Sequence, residues 1–391
     1  MNKITFVFLG LSITAFGMSY TQFKAHTLKH AKVLQSQAVN ISKTQAKNAL
    51  TLRTPNPTLS VEIGRYDPAF QSEAYSYSVS ASQKVRTSSY LDALKSSANA
   101  QSTLSQLLVT QGKATYIQTL ETLYTNYVYQ SKMLTLLQEE IKLSKKMTSI
   151  AKERYKSGSE TKVTYLQAKT QSLSLKIERH SIKVQRDSHY YKLLAMAGYT
   201  KKVFLNKQFI YAVHSQGRYK NSLNIQEQIL EAKNRLYTSE LAIKSETFKS
   251  YELTAGFEKE PEQSILRVGI SLPLPLQHNR AEEKTLAKLK MQQLILDKEQ
   301  LLLSNHNNKK MLKSAINERT QQYQALKLVK KEQQSLTNLL TEGYQIAQGS
   351  LFELMLSKNR LIQTKKQLLQ TQKEINMQNI ALCYLQGAYN D

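Results

Sequence analysis

The sequence predicts a mainly α protein with a small β part: long antiparallel coiled-coil helical hairpins together with four short strands suited to a membrane. Three observations carry that prediction. Punctuation is scarce, with 12 Gly and 6 Pro in 391 residues, so the elements must be long. Apolar residues recur at three-and-four spacing over stretches far beyond an ordinary helix. Four other segments, each about nine residues long, alternate apolar with polar side chains.

The helices come first. From about Ser88 to Arg154 there is no proline and a single glycine, Gly112, while Ile117, Leu120, Tyr124, Tyr127, Leu134, Leu137 and Ile141 mark a coiled-coil seam. At 1.5 Å per residue such a helix reaches about 100 Å. After a break at Tyr155 to Thr161 the pattern resumes to about Ala197. Beyond an irregular basic patch, Lys201 to Arg218, another helix is expected from about Asn221 to Ser250. The second half repeats the plan: a helix from about Ala281 to Glu342, a break at Tyr344 to Ser350, and a helix from Leu351 to about Gln386. Its end-to-end partner is the N-terminal helix, read as one piece from Gln22 to Leu52.

The strands come in two pairs. Leu59, Val61 and Ile63 alternate with Ser60, Glu62 and Gly64, and Tyr75, Tyr77, Val79 and Ala81 alternate with Ser76, Ser78, Ser80 and Ser82. Tyr251, Leu253, Ala255 and Phe257 alternate with Glu252, Thr254, Gly256 and Glu258, and Leu266, Val268, Ile270 and Leu272 with Arg267, Gly269 and Ser271. This is the length and pattern of a tilted strand with lipid on one side and water on the other. An ordinary half-buried sheet is the alternative. In lipid, four strands cannot close a barrel, and open edges are not tolerated, so the membrane reading requires several chains in one wall. Glu62, Ser78, Ser80, Glu252, Thr254, Glu258 and Arg267 would then face a water-filled lumen.

Sliding the chain by 189 positions places Tyr155 on Tyr344, Lys169 on Lys358, Lys176 on Lys365, Leu193 on Leu382 and Gly198 on Gly387, the mark of an internal duplication. The expected organisation is a leader over 1–19, a first repeat over 20–200 (strands near 58–66 and 75–83, helical hairpin 88–198, tip 155–161), a linker over 201–220, and a second repeat over 221–391 (strands near 251–258 and 265–273, helical hairpin 281–387, tip 344–350). The leader reading rests on Lys3, the apolar run Ile4 to Ala15 and small residues near Gly17 to Ser19. The apolar run is too short to span a bilayer, and no later stretch approaches the roughly 20 apolar residues of a membrane helix. The single cysteine, Cys383, excludes an intrachain disulfide, and no cysteine follows the leader to carry a lipid.

A formal charge of +25 with a pI near 9.8 would suit a nucleic-acid binder, but the Lys and Arg are dispersed along helical faces among Glu, Gln and Ser, so no nucleic-acid partner is expected. The same charge suits anionic membrane surfaces. His26 and His30 stand four apart without a carboxylate or cysteine ligand nearby in sequence, and Cys383 has no neighbouring base. Neither pattern makes a metal or catalytic site. No cofactor is expected, and the chain reads as a non-enzyme.

Arg154-Tyr155-Lys156-Ser157-Gly158, followed by Thr161 and by Tyr165-Leu166-Gln167-Ala168-Lys169, resembles the segment after the long helix in the TolC-like outer-membrane efflux proteins. The second copy, Tyr344-Gln345-Ile346-Ala347-Gln348-Gly349-Ser350-Leu351-Phe352-Glu353-Leu354, has Ala347 where the family pattern has glycine. Asn56-Pro57-Thr58-Leu59-Ser60-Val61, and Gly269-Ile270-Ser271-Leu272-Pro273-Leu274-Pro275 with Asn279-Arg280, resemble the heavy-metal-efflux branch. The resemblance covers essentially the whole chain after the leader. It implies a homotrimer, a trimeric α/β barrel channel with twelve strands in the outer-membrane lipid and a helical tunnel through the periplasm. It also implies that Tyr155, Gly158, Thr161, Tyr344, Ala347 and Ser350 lie at a tip that meets a periplasmic adaptor protein, itself linked to an inner-membrane efflux pump. At such a tip a glycine can equally serve only to make the turn. Two other classes remain at this point: a periplasmic adaptor protein, which usually carries one hairpin flanked by small β domains, and an exported coiled-coil structural protein, which would leave the four strands unexplained.

Overall fold

The computed structural model describes residues 17–66, 74–159, 161–213, 224–274, 280–345 and 350–389, with the backbone alone for Tyr66, Tyr344, Gln345 and Leu351. Most of the expected leader, residues 214–220 of the expected linker, Asn279 and Ala347 lie outside the described residues.

The elements follow as α1 (Tyr20–His30), α2 (Lys32–Leu52), β1 (Thr58–Tyr66), β2 (Ala74–Arg86), α3 (Ser88–Lys156), α4 (Lys162–Ala197), α5 (Ile225–Ser245), β3 (Ser250–Lys259), β4 (Ser264–Ser271), α6 (Ala281–Gln345) and α7 (Leu351–Leu385). The mainly α fold with a small β part is therefore observed. Among the described residues no helix is long and apolar enough to cross a membrane.

By contacts the chain divides into two compact units that cut across the sequence repeats. One comprises 1–35, 113–222 and 305–391; the other comprises 36–112 and 223–304. Helices α3 and α6 contribute residues to both.

The first unit is organised around the tyrosine-rich middle of α3. Leu120, Tyr124, Tyr127 and Val128 pack with Phe23, Leu193, Ala197 and Leu205 into one core. The segment after α4, read from sequence as an irregular basic patch, is locked into this core. The Tyr124 hydroxyl donates to the Asn206 carbonyl at 2.5 Å, and the Tyr190 hydroxyl donates to the Val203 carbonyl while accepting from the Val203 N–H. Asn376 closes both polar groups of Tyr211, accepting from its N–H at 2.9 Å and donating to its carbonyl at 3.1 Å.

Glu121, 2% exposed, is the polar centre of the same region. Its carboxylate accepts from the hydroxyls of Tyr20 at 2.8 Å, Tyr211 at 3.0 Å and Tyr389, and pairs with Lys24 at 3.3 Å. Burial, reinforced by the Glu121 charge, pushes these three phenols well above their ordinary range. They therefore remain protonated donors at physiological pH. A carboxylate removed from water is tolerable only when its lone pairs are filled in this way.

Two helices differ from their sequence reading. The N-terminal helix is not continuous: Ala31 adopts φ −63°, ψ 113° and divides α1 from α2. No proline or glycine marks the break. Thr27 bonds back to the Phe23 carbonyl at 2.7 Å, a geometry that bends helices, and the Gln35 amide reaches the Lys29 carbonyl that the break frees. The helix expected over Asn221 to Ser250 is shorter, because buried Asn224 caps it by accepting from the Gln226 N–H, and Glu246 turns extended towards β3.

The second unit holds the sheet. Its order is β1-β2-β3-β4, antiparallel throughout; in the same unit Leu104, Ile225, Ile229, Ala232 and Leu236 pack together between α3 and α5. Strand β2 continues past the expected limit at 83 to Arg86, where Arg86 pairs with Ser250. The alternation had faltered because Gln83 occupies an apolar-face position. Strand β4 stops at Ser271, before Pro273, which has no N–H for the ladder.

Phe23 is fully buried in the first unit's core. Phe23→Ala is expected to cost about 3–5 kcal/mol, read as a lower unfolding midpoint in denaturant, because no other side chain of α1 fills that volume.

Candidate conduit face and docking tips

Residues directly opposite in an antiparallel pair share a face, so the register sorts the sheet into two surfaces. Val61, Val79, Phe257 and Leu266 form one row, and Leu59, Ala81, Ala255 and Val268 the next. On the other face lie Glu62, Ser78 and Glu258, then Ser60, Ser80, Gly256 and Arg267, then Ser82, Thr254 and Gly269, and finally Lys84, Glu252 and Ser271. All seven residues expected on the polar face are brought together there. Ile265, opposite Glu258, is an apolar intruder at the strand's start that period-two reading did not anticipate.

Along β2 exposure is inverted relative to a water-soluble protein, while β1 and β4 are open on nearly every residue of both faces. Along β2 the tyrosines and Val79 are exposed while the serines between them are half-buried. Leu266 and Val268 are 77% and 81% exposed. Leaving side chains of this size in water forgoes about 1.5–3 kcal/mol each, so the face is built for an apolar surrounding. The polar face is closely set. A Cβ on Gly64 would fall 2.6 Å from the Ser76 hydroxyl, and one on Gly256 would fall 3.0 Å from Ser80 Cβ. Arg267 donates to the Glu258 carboxylate at 2.6 Å across the β3–β4 pair.

The tip residues lie in the other unit. Helix α3 ends with Gly158 at φ +75°. The Gly158 N–H donates to the Tyr155 carbonyl at 3.1 Å and the Ser159 N–H to the Arg154 carbonyl at 2.8 Å, the paired bonds of a Schellman motif. Thr161 then caps α4 by accepting from the Thr164 N–H. Tyr155 stacks on Tyr165, rings 4° from parallel with centroids 6.1 Å apart. A Cβ added to Gly158 would meet nothing within 4 Å, so the turn is set by conformation and its surroundings are open.

At the second tip Ser350 caps α7 by accepting from the Phe352 N–H at 3.2 Å, as Thr161 does 189 positions earlier. Tyr344 belongs to the last turn of α6. The same offset relates Gly198 and Gly387, with φ of 71° and 72° and matching pairs of capping bonds.

Among the described residues no group of three or more His, Cys, Asp or Glu is placed to hold a metal ion. His26 stacks on His30 and Tyr199 at centroid distances of 4.4 and 4.2 Å. Cys383 is buried beside Ala114, Ile117 and Tyr389. The Glu121 cluster escaped sequence reading because its five contributors come from four separate segments. The available signal was an acid among the tyrosines of an otherwise apolar stripe of α3.

The resemblance to the TolC-like outer-membrane efflux proteins is borne out. Residues 25–199 match the family model described as outer membrane efflux protein. The fold matches solved outer-membrane proteins over nearly the whole chain. The outer membrane protein VceC from Vibrio cholerae superposes with a TM-score of 0.78 at 13% identity, covering 94% of this chain and 95% of that one. The CmeC outer membrane channel of Campylobacter jejuni gives 0.75 at 14% identity, covering 94% and 85%. The open state of the MtrE outer membrane channel of Neisseria gonorrhoeae gives 0.73 at 15%, covering 93% and 88%. No curated protein matches the sequence.

Gly256→Val tests the packing of the polar face. The β propensity of valine favours the change by at most about 1 kcal/mol, whereas pressing a Cβ against Ser80 and the Val79 carbonyl costs about 1–3 kcal/mol. A lower melting temperature is expected, with partial recovery in Gly256→Val/Ser80→Gly, measured by loss of strand signal in circular dichroism.

Proposed function

We propose that the chain is a subunit of a trimeric outer-membrane efflux channel that passively conducts substrates arriving from an inner-membrane pump and a periplasmic adaptor. The observation that carries the reading is the sorting of the sheet into one continuous apolar face and one face of hydroxyls and charges. Three such sheets joined edge to edge would give twelve strands around a polar lumen, with Glu62, Ser78, Ser80, Glu252, Thr254, Glu258 and Arg267 lining it.

Helix α4 supports the oligomer independently. Val163, Leu166, Leu173, Ile177, Val184 and Tyr191 are all exposed and fall on one seam of a seven-residue repeat. Such a stripe is stable only when another helix covers it, and a second copy supplies apolar helices of the same kind. At the tips, the open space around Gly158 and the helix caps at Thr161 and Ser350 suit close approach by an adaptor's helical hairpin, and Tyr155, Tyr344 and Ala347 are proposed to take part in that docking. Energy would come from the pump, which agrees with the absence of a nucleotide-binding loop from the sequence.

Cell fractionation tests the assignment. A heat-modifiable trimer is expected in the outer membrane; a detergent-independent soluble species would overturn it. Gly158→Lys tests the tip. The left-handed backbone costs a side chain about 1–2 kcal/mol, small beside a trimer's interface, so the trimer is expected to persist in gel electrophoresis while export of a reporter substrate is lost. Dissociation of the trimer would make Gly158 a structural residue instead.

A further inference from the structure

We infer that the leader is removed at the Gly17–Met18 peptide bond, so that Met18 becomes the first residue of the working protein and its new ammonium group is a structural donor. The inference rests on reading the N-terminal residues as an export leader. Hydrolysis adds water across the bond, leaving a carboxylate on Gly17 and an ammonium on Met18.

Sequence alone leaves two comparable bonds. Leader peptidases need small residues in the first and third positions before the cut. Cutting after Gly17 places Gly17 and Ala15 there, and cutting after Ser19 places Ser19 and Gly17. Cutting after Phe16 would put a bulky aromatic in the first position. The fold distinguishes the two remaining bonds.

Met18 forms a parallel bridge with Leu205. Its nitrogen donates to the Phe204 carbonyl at 2.7 Å, and its carbonyl accepts from the Asn206 N–H at 2.9 Å. Its side chain packs against the core built on Phe23, Leu120 and Tyr124, with the sulfur 3.9 Å from the Tyr199 hydroxyl. Ser19 caps α1 reciprocally: its hydroxyl accepts from the Gln22 N–H at 3.3 Å, and its own N–H donates to the Gln22 side chain at 3.0 Å. A cut after Ser19 would discard the bridge, the sulfur contact and the capping box together. A cut after Gly17 keeps all three, because an α-ammonium still donates to the Phe204 carbonyl. Just upstream the space closes, since a Cβ on Gly17 would lie 3.2 Å from the backbone of residues 204–206.

The test is N-terminal sequencing and intact mass of the full-length gene product recovered from cell envelopes. A start at Met18 is expected. A start at Tyr20 overturns the inference while leaving export intact, and an unprocessed Met1 overturns it together with the leader reading. A second measurement compares refolded chains beginning at Met18 and at Tyr20. The shorter chain is expected to melt several degrees lower, and equal melting would show that the two residues contribute nothing to the fold. Neither result depends on the channel assignment, which fractionation addresses separately.

Discussion

The constraint on which the rest depends is that β1 and β4 are edge strands of a sheet with one continuous apolar face. In water that face would aggregate; in lipid the unpaired N–H and C=O groups along both edges would each cost several kcal/mol. One chain cannot satisfy both demands. A second copy can, because β1 and β4 run in opposite directions and present complementary ladders. On the proposed membrane reading, oligomerisation would follow from backbone hydrogen bonding, and the apolar stripe of α4 would make the same demand through side chains.

The two units are held by different means. In the unit that carries the sheet, the Thr87 hydroxyl and N–H hold the backbone at Phe248 and Lys249, where the start of α3 meets the start of β3. In the other, Glu121 and its ring of hydroxyls gather α1, the segment after α4 and the chain's last turn onto α3. A buried carboxylate shared among three phenols and a lysine is costly to leave half-made. It thus adds a polar tie to segments that also bury Phe23 and Leu205 in the adjoining core.

Much of this was legible in the sequence, and the limits were physical. Period-two alternation located all four strands and put the seven expected polar-face residues on one side, because a half-exposed strand imposes that period whichever side is wet. It failed at Gln83, where the pattern breaks before the strand does, and at Ile265. Three-and-four spacing found the long helices but not the break at Ala31, where the backbone turns extended without a proline or glycine to mark it. The first tip was readable because Gly158 takes a left-handed conformation that few other residues adopt. The Glu121 cluster was not, since nothing local couples residues 90 or more positions apart. The two leader bonds looked equivalent until Met18 was seen bridged to Leu205.

The most direct measurement of the central claim is disulfide trapping between β1 and β4. Two strands separate them within a chain, about 14 Å at the usual strand spacing, too far for an intrachain bridge. With one cysteine introduced at Val61 or a neighbour and another at Val268 or a neighbour, oxidation in intact envelopes is predicted to give covalent dimers and closed trimers for the register in which the edges meet. Monomers alone at every register tried would contradict edge-to-edge assembly.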